Sequence, residues 1–130
     1  MPELNIPEVV AEVTAAFERY DRGLDENDVA VLNDSFWEND LTLRYGVGEN
    51  LRSHAEIAAF RAARTAAQHA SRARRLVNTR ITTFGRDFAV ANTEYVLLAD
   101  GRTGRQSQSW VRMPQGWKVV AAHVSMLAEG

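Results

Sequence analysis

Apolar residues recur with a helical period at the start of the chain. Ile6, Val9, Val13, Phe17, Tyr20 and Leu24 share one face of a helix predicted to run to about residue 23. Asn5 followed three residues later by Glu8 is a capping-box signature, and Pro7 suits the first turn. Tyr20 then lies on the buried side, with its hydroxyl pointing inward. Asn27 or Asp28 caps a short second helix in which Val29, Leu32 and Phe36 share a face and which Trp37 ends. Residues 41–45 read as a short β segment stopped by Gly46 and Gly48. A second capping box, Ser53 with Glu56, opens a third helix with Ile57, Phe60 and Ala63 on its inner face.

After about residue 70 the chain becomes a β-meander. Strands are predicted near residues 74–84, 88–98, 105–113 and 117–127, with turns at Gly85-Arg86-Asp87, Asp100-Gly101 and Pro114-Gln115-Gly116. Helices first and meander second define an α+β fold, one domain over residues 1–130. Three N-terminal helices pack on one face of a curved antiparallel sheet. Such a sheet makes a cone, open between strands and helices.

The last two strands carry the most information. One alternates Gln106, Gln108, Trp110 and Arg112. The other is apolar on both faces, Trp117, Val119 and Ala121 against Val120, Ala122 and Val124, but is interrupted by His123 and Ser125. A strand apolar on both sides is buried on both sides, so its polar members need partners, and they point to a pocket. The apolar face that the helices cannot cover points to a homodimer through the outer side of the meander.

Composition removes several classes of function. The 130 residues, 45% hydrophobic and 25% charged, fit one globular domain. No apolar run is long enough to span a bilayer and no signal-peptide layout appears, so a cytoplasmic protein with no membrane partner is expected. Without cysteine there is no disulfide, thiol nucleophile or thiolate metal site. A net charge of −2 gives no pull toward nucleic acid. The cations are lopsided: fourteen arginines accompany the single Lys118. A GC-rich genome accounts for that bias in one reading, and planar forks for carboxylates in another. Six of the arginines lie between Arg61 and Arg80, where a solvated helix end and an edge strand are expected.

Each candidate residue has a chemical and a plain structural use. Arg44, alternating with Leu43 and Tyr45 at the mouth of the cone, either clamps a carboxylate or pairs a surface acid such as Asp40. Tyr20 either completes the core or donates to an amide oxygen or leaving nitrogen, and a phenol releases its proton near neutrality only beside a cation. His123 is a general base for water or a satisfied core histidine, with no aspartate stationed beside it. Gln106 and Gln108 line a polar pocket or bond across a dimer interface. Trp37 walls the pocket or is a simple staple. Tyr45 joins Trp37, Gln106, Gln108 and His123 as a candidate substrate-binding residue. No metal or organic cofactor is expected. His54, His69 and His123 lie on different elements, and Gly46-Val47-Gly48 lacks the frame and lysine of a phosphate loop.

Several strings in the chain resemble one family. They are Leu4-Asn5-Ile6-Pro7-Glu8-Val9-Val10, Arg44-Tyr45-Gly46 with Glu49-Asn50, and Phe60-Arg61-Ala62-Ala63-Arg64. Ile81-Thr82-Thr83 with Gly85-Arg86-Asp87 and Gln108-Ser109-Trp110 with Ala121-Ala122-His123-Val124-Ser125 complete the set. Together they are similar to the AtzH-like family, which includes the oxalurate-catabolism protein HpxZ, in the nuclear-transport-factor-2-like (SnoaL-like) superfamily. The likeness covers nearly the whole chain.

The resemblance implies a bacterial protein of ureido-compound breakdown, from cyanuric acid or purine-derived oxalurate. For triazine-linked members it implies hydrolysis of 1,3-dicarboxyurea to allophanate (urea-1-carboxylate), with release of ammonia or carbon dioxide. It also implies a catalytic pair, here Tyr20 and Arg44. The expected partners are a small anionic ureido substrate, a second copy of the chain and a pathway amidase. A cofactor-free amidohydrolase, a non-catalytic binding or accessory subunit, and a dehydratase- or isomerase-like enzyme stand as three readings. The third lacks an evident Asp–His pair.

Overall fold

The computed structural model describes residues 1–128. Four helices and six strands follow one another as α1 (Pro7–Glu26), α2 (Val29–Ser35), β1 (Leu43–Tyr45), β2 (Asn50–Leu51), α3 (His54–Ala62), α4 (Ala66–Ser71), β3 (Arg74–Phe84), β4 (Phe88–Leu97), β5 (Thr103–Met113) and β6 (Gly116–Met126). The strands form one sheet in the order β2-β1-β6-β5-β4-β3. Neighbours pair antiparallel except β1 with β6, which run parallel, Arg44 opposite Ala122. The expected antiparallel meander is therefore present, extended at one edge by a short parallel strand.

The period-matched stripe of α1 fills the concave side of the sheet. Val9 and Val13 are fully buried, and Phe17 and Tyr20 retain 4% and 2% of their surface. They pack with Phe36, Ile57, Trp110 and Val119 in a continuous core. Each such side chain contributes roughly 1.5–3 kcal/mol on burial, so this stripe is what docks the helix.

Three local expectations change. Asn5 does not cap α1; it adopts a left-handed conformation (φ 54°) and exchanges two hydrogen bonds with the Thr83 backbone, both 3.0 Å. Two bonds to a strand end outweigh one to a helix end whose first residue, Pro7, has no N–H to offer. The helix also continues past residue 23 to Glu26, where left-handed Asn27 stops it, and Asp28 caps α2 by accepting from the Val31 N–H at 3.2 Å. The expected third helix is divided in two. Thr65 accepts from the Gln68 N–H at 3.1 Å while the Gln68 side chain accepts from the Thr65 N–H at 2.8 Å, a capping box that starts α4 afresh. Threonine inside a helix competes with it, and here the cap wins.

A β-bulge decides which residues face the cone. Ser109 pairs with Ala121 but its neighbour Trp110 pairs with Val119, leaving Val120 unpaired. The extra residue turns the strand by one position. Val119 and Ala122 thus both point inward, whereas simple alternation put them on opposite faces. Beyond the bulge His123 is exposed and Val124 faces the cone.

Gly104 on β5 is required by close packing. A Cβ there would run into the Tyr95 ring and hydroxyl and into the Ser125 carbonyl, which accepts from that hydroxyl at 3.1 Å. Gly104→Ala is expected to cost about 1–3 kcal/mol in urea unfolding, as overpacking does. A change below about 0.5 kcal/mol would mean that Tyr95 relaxes freely.

Candidate active site

Tyr20 is the last fully buried member of the α1 stripe, and beyond it the core gives way to a cavity of about 320 Å³. The walls come from the end of α1, the turn between β1 and β2, α4, and the inner faces of β3 to β6. Tyr20, Arg44 and Gln106 all line it. The structure thus brings together three residues singled out from the sequence. The same wall carries five arginines, Arg44, Arg64, Arg72, Arg74 and Arg102, against the two carboxylates of Glu49 and Asp100. Such a surplus inside a concave surface focuses positive potential onto whatever enters.

Arg44 reaches the cavity because strand alternation turns it inward while Leu43 and Tyr45 turn out. Its acid partner is Glu49 rather than Asp40. Nη1 donates to Glu49 Oε1 at 3.0 Å, with only 11% and 19% of the two side chains exposed. Glu49 Oε2 accepts from the Gly48 N–H at 3.2 Å, which fixes the carboxylate. The pair needs the bare backbone of Gly46, since a Cβ there would meet the Glu49 carboxylate head-on. Arg44 Nε remains buried without a partner.

Gln106 is positioned by charge. Its Oε1 accepts from Arg74 Nη1 at 3.2 Å, and Arg74 also approaches Asp21 Oδ1 at 3.5 Å and lies 5.2 Å from the Tyr95 ring centroid. Gln106 Nε2 is buried and unpartnered. Burial pushes the Asp21 carboxyl up from its ordinary range, with Arg74 opposing. Burial likewise raises the Tyr95 phenol.

Arg61 was expected on a solvated helix end, yet it is 6% exposed. Its guanidinium sits 4.9 Å from the Phe36 ring centroid and against Tyr20. Desolvation lowers its pKa, and Tyr20 opposes that shift. The signal was available in the spacing: Arg61 follows Ile57 by four residues and so shares its buried face. Arg64, just beyond the end of α3, lines the cavity and is pushed down to about 10, first by burial and then by the cationic crowd of Arg72, Arg44 and Arg61.

Other candidates go elsewhere. His123 and Tyr45 meet edge to face, ring centroids 5.9 Å apart, on the outer side of the sheet in a groove of about 270 Å³. The parity that points Arg44 in points both of them out. Gln108 is sealed in the core, where its Oε1 accepts from Trp110 Nε1 at 3.1 Å, and it does not line the cavity. Trp37 lines a separate cleft of about 400 Å³ with Glu38, His54 and Lys118. That cleft is larger, but its lysine and histidine are committed. Lys118 binds the Asp34 carbonyl at 2.6 Å and its carboxylate at 3.1 Å, and His54 Nε2 bonds the Asn33 carbonyl at 2.8 Å. His69 Nε2 likewise bonds the Leu24 carbonyl at 2.8 Å, holding α4 to α1. Among the described residues no group of three or more His, Asp or Glu converges, and no helix is long and apolar enough to cross a membrane.

A curved sheet wrapped around one long helix, with a polar cavity at the open end, defines a nuclear-transport-factor-2-like, or cystatin-like, fold. Within it the chain belongs to the AtzH-like family, whose model matches residues 2–130. A Pectobacterium atrosepticum protein of the DUF3225 family is 52% identical over 96% of this chain and 95% of its own, with a TM-score of 0.91. A cystatin-like fold protein from Burkholderia xenovorans is 42% identical over 100% of both chains, with a TM-score of 0.90. A nuclear-transport-factor-2-like superfamily protein from Salmonella enterica is 26% identical over 94% of this chain and 93% of its own, with a TM-score of 0.73. Comparison with curated proteins gave no match.

The dependence of the Arg44–Glu49 pair on Gly46 can be measured as a coupling. Gly46→Ala should cost about 1 kcal/mol by displacing the Glu49 carboxylate, and nearly nothing in a Glu49→Ala background. Equal costs in both backgrounds would contradict the arrangement.

Proposed function

We propose that the protein is a cofactor-independent amidohydrolase acting on a small N-carboxylated urea, 1,3-dicarboxyurea, which it converts to allophanate. The observation that carries the reading is the presence of Tyr20 and Arg44 in one cavity with a surplus of guanidinium groups. The substrate is a planar dianion, and arginine forks match the planar geometry of its carboxylates.

Arg44 grips one carboxylate, which stays with the product. At the other end the bond between nitrogen and carboxylate carbon breaks. Its electron pair passes to the nitrogen, which takes a proton from the Tyr20 hydroxyl, and the carbon departs as carbon dioxide. The phenolate regains its proton from solvent. Allophanate keeps both nitrogens, so this step releases carbon dioxide and no ammonia. The absence of any histidine from the cavity lining argues against a dehydratase built on an Asp–His pair.

Purified variants assayed for carbon dioxide release from freshly generated dicarboxyurea test the roles. Tyr20→Phe should keep its fold and lose about 100-fold or more in kcat if the phenol transfers a proton. Arg44→Lys retains charge without the fork, so it should be nearly as damaging as Arg44→Ala. Near-normal kinetics for both would make the pair structural and favour a non-catalytic binding or accessory subunit of an amidase pathway.

We also propose a cytoplasmic homodimer joined through the outer face of the sheet. Leu43, Val90 and Ala121 are half-buried there, beside exposed Tyr45 and His123. Helices cover the opposite face, so a second copy is the natural cover for this one. Light scattering should give a dimeric mass at micromolar concentration, with an interface above about 1,000 Å². A monomeric mass counts against it.

A further inference from the structure

Two guanidinium groups, those of Arg44 and Arg64, line the cavity with the Glu49 carboxylate, and a third, that of Arg61, is buried against Tyr20, which also lines it. Arg44 engages Glu49 through Nη1 and leaves Nε buried and unpartnered. Arg61, 6% exposed, has both Nε and Nη2 without a partner. Arg64 lines the cavity, its guanidinium 5.6 Å from the Phe60 ring centroid. Neither Arg61 nor Arg64 takes part in any ion pair among the described residues. The crowding is felt directly, since Arg44 disfavours the charged form of both.

Removing a cation from water costs more than contact with an aromatic face returns. Stacking of Arg61 on Phe36 therefore does not by itself account for a buried, uncompensated charge. Mutual repulsion from Arg44 and Arg64 adds to that cost. An arrangement of this kind is stable in use when an anion completes it.

The spacing is suited to such a ligand. Arg61 sits in the last turn of α3 and Arg64 two residues beyond its end, so the two guanidinium groups enter from the same stretch of chain. Arg44 comes from a different element, β1, and Tyr20 and Gln106 supply neutral hydrogen-bonding groups in the same cavity. Its volume, about 320 Å³, suits a compact ligand.

We propose that Arg61 and Arg64 form with Arg44 a cradle for the two carboxylates of one small dianion, Arg61 and Arg64 taking the carboxylate that Arg44 does not hold. This deepens the amidohydrolase reading by assigning recognition of the carboxylate that is lost, and it rests on that reading for the substrate's identity. Mono-anions engage one end of the cradle only, so discrimination between dianions and mono-anions comes from Arg61 and Arg64.

The test uses glutarate, whose carboxylates are separated by three atoms as in dicarboxyurea, and butyrate, which is glutarate without one of its carboxylates. Isothermal titration calorimetry of the wild-type protein should give glutarate at least about 10-fold tighter than butyrate. Arg61→Met and Arg64→Gln should each weaken glutarate about 10-fold or more, toward the butyrate value, while butyrate stays within about 3-fold. Melting curves establish that each variant is folded. If Arg61→Met does not fold, Arg64→Gln, at a half-exposed position, decides. Wild-type affinity for glutarate in a folded variant, or wild-type protein that binds glutarate no better than butyrate, would overturn the cradle. Dicarboxyurea turnover, measured in parallel, separates the two ideas. A protein that binds glutarate through Arg61 and Arg64 but releases no carbon dioxide loses the enzyme reading alone. Variants that keep glutarate affinity lose the cradle alone, whatever their turnover.

Discussion

The structure depends on the fit of one helix into one concavity. The α1 stripe of Val9, Val13, Phe17 and Tyr20 occupies the inside of the sheet against Trp110 and Val119, and almost none of it is left exposed. With a rise of about 1.5 Å per residue, four stripe positions fill only part of the cone's depth. The remaining depth is the cavity. Because the stripe ends in tyrosine rather than in another valine, the floor of that cavity carries a hydroxyl. The same packing that stabilises the fold thus leaves a polar group where the core stops.

The cavity differs from the rest of the surface in its surplus of cations over carboxylates. Elsewhere several cations are matched: Arg112 binds Glu12, and Arg19 and Lys118 share Asp34. Exposed pairs of that kind contribute little and demand little. Inside, the sealed nitrogens of Arg44, Arg61 and Gln106 have no partners. Buried donors without acceptors are costly, so their concentration in one place marks the region built for a ligand with acceptors of its own. In the larger cleft beside Trp37 the lysine and histidine are already bonded.

Much of this was legible in the residues. Periodicity located α1, the meander and its turns nearly to the residue, and the AtzH-like strings pointed to Tyr20 and Arg44. The failures share a cause: a contact distant in sequence overrode a local rule. Asn5 has the local credentials of a helix cap, but Thr83 lies within reach only after folding. Val119 and Ala122 look like residues of opposite faces until a bulge, invisible in the pattern, places both inward. The two apolar faces of β6 suggested a buried His123, yet β1 covers that edge so that Tyr45 and His123 meet on the outside. Arg61 was the reverse case. Its spacing from Ile57 placed it on the buried face, but the ordinary preference of arginine for solvent concealed that.

The most direct measurement of the central claim, that the cone is an anion site anchored at Arg44, is a crystal structure grown with glutarate. One carboxylate should lie within hydrogen-bond distance of the Arg44 guanidinium, and the other should be directed toward Arg61 and Arg64, with Tyr20 beside the chain between them. Density for the ligand in the cleft at Trp37 or in the outer groove at His123, with the cone empty, would contradict the account.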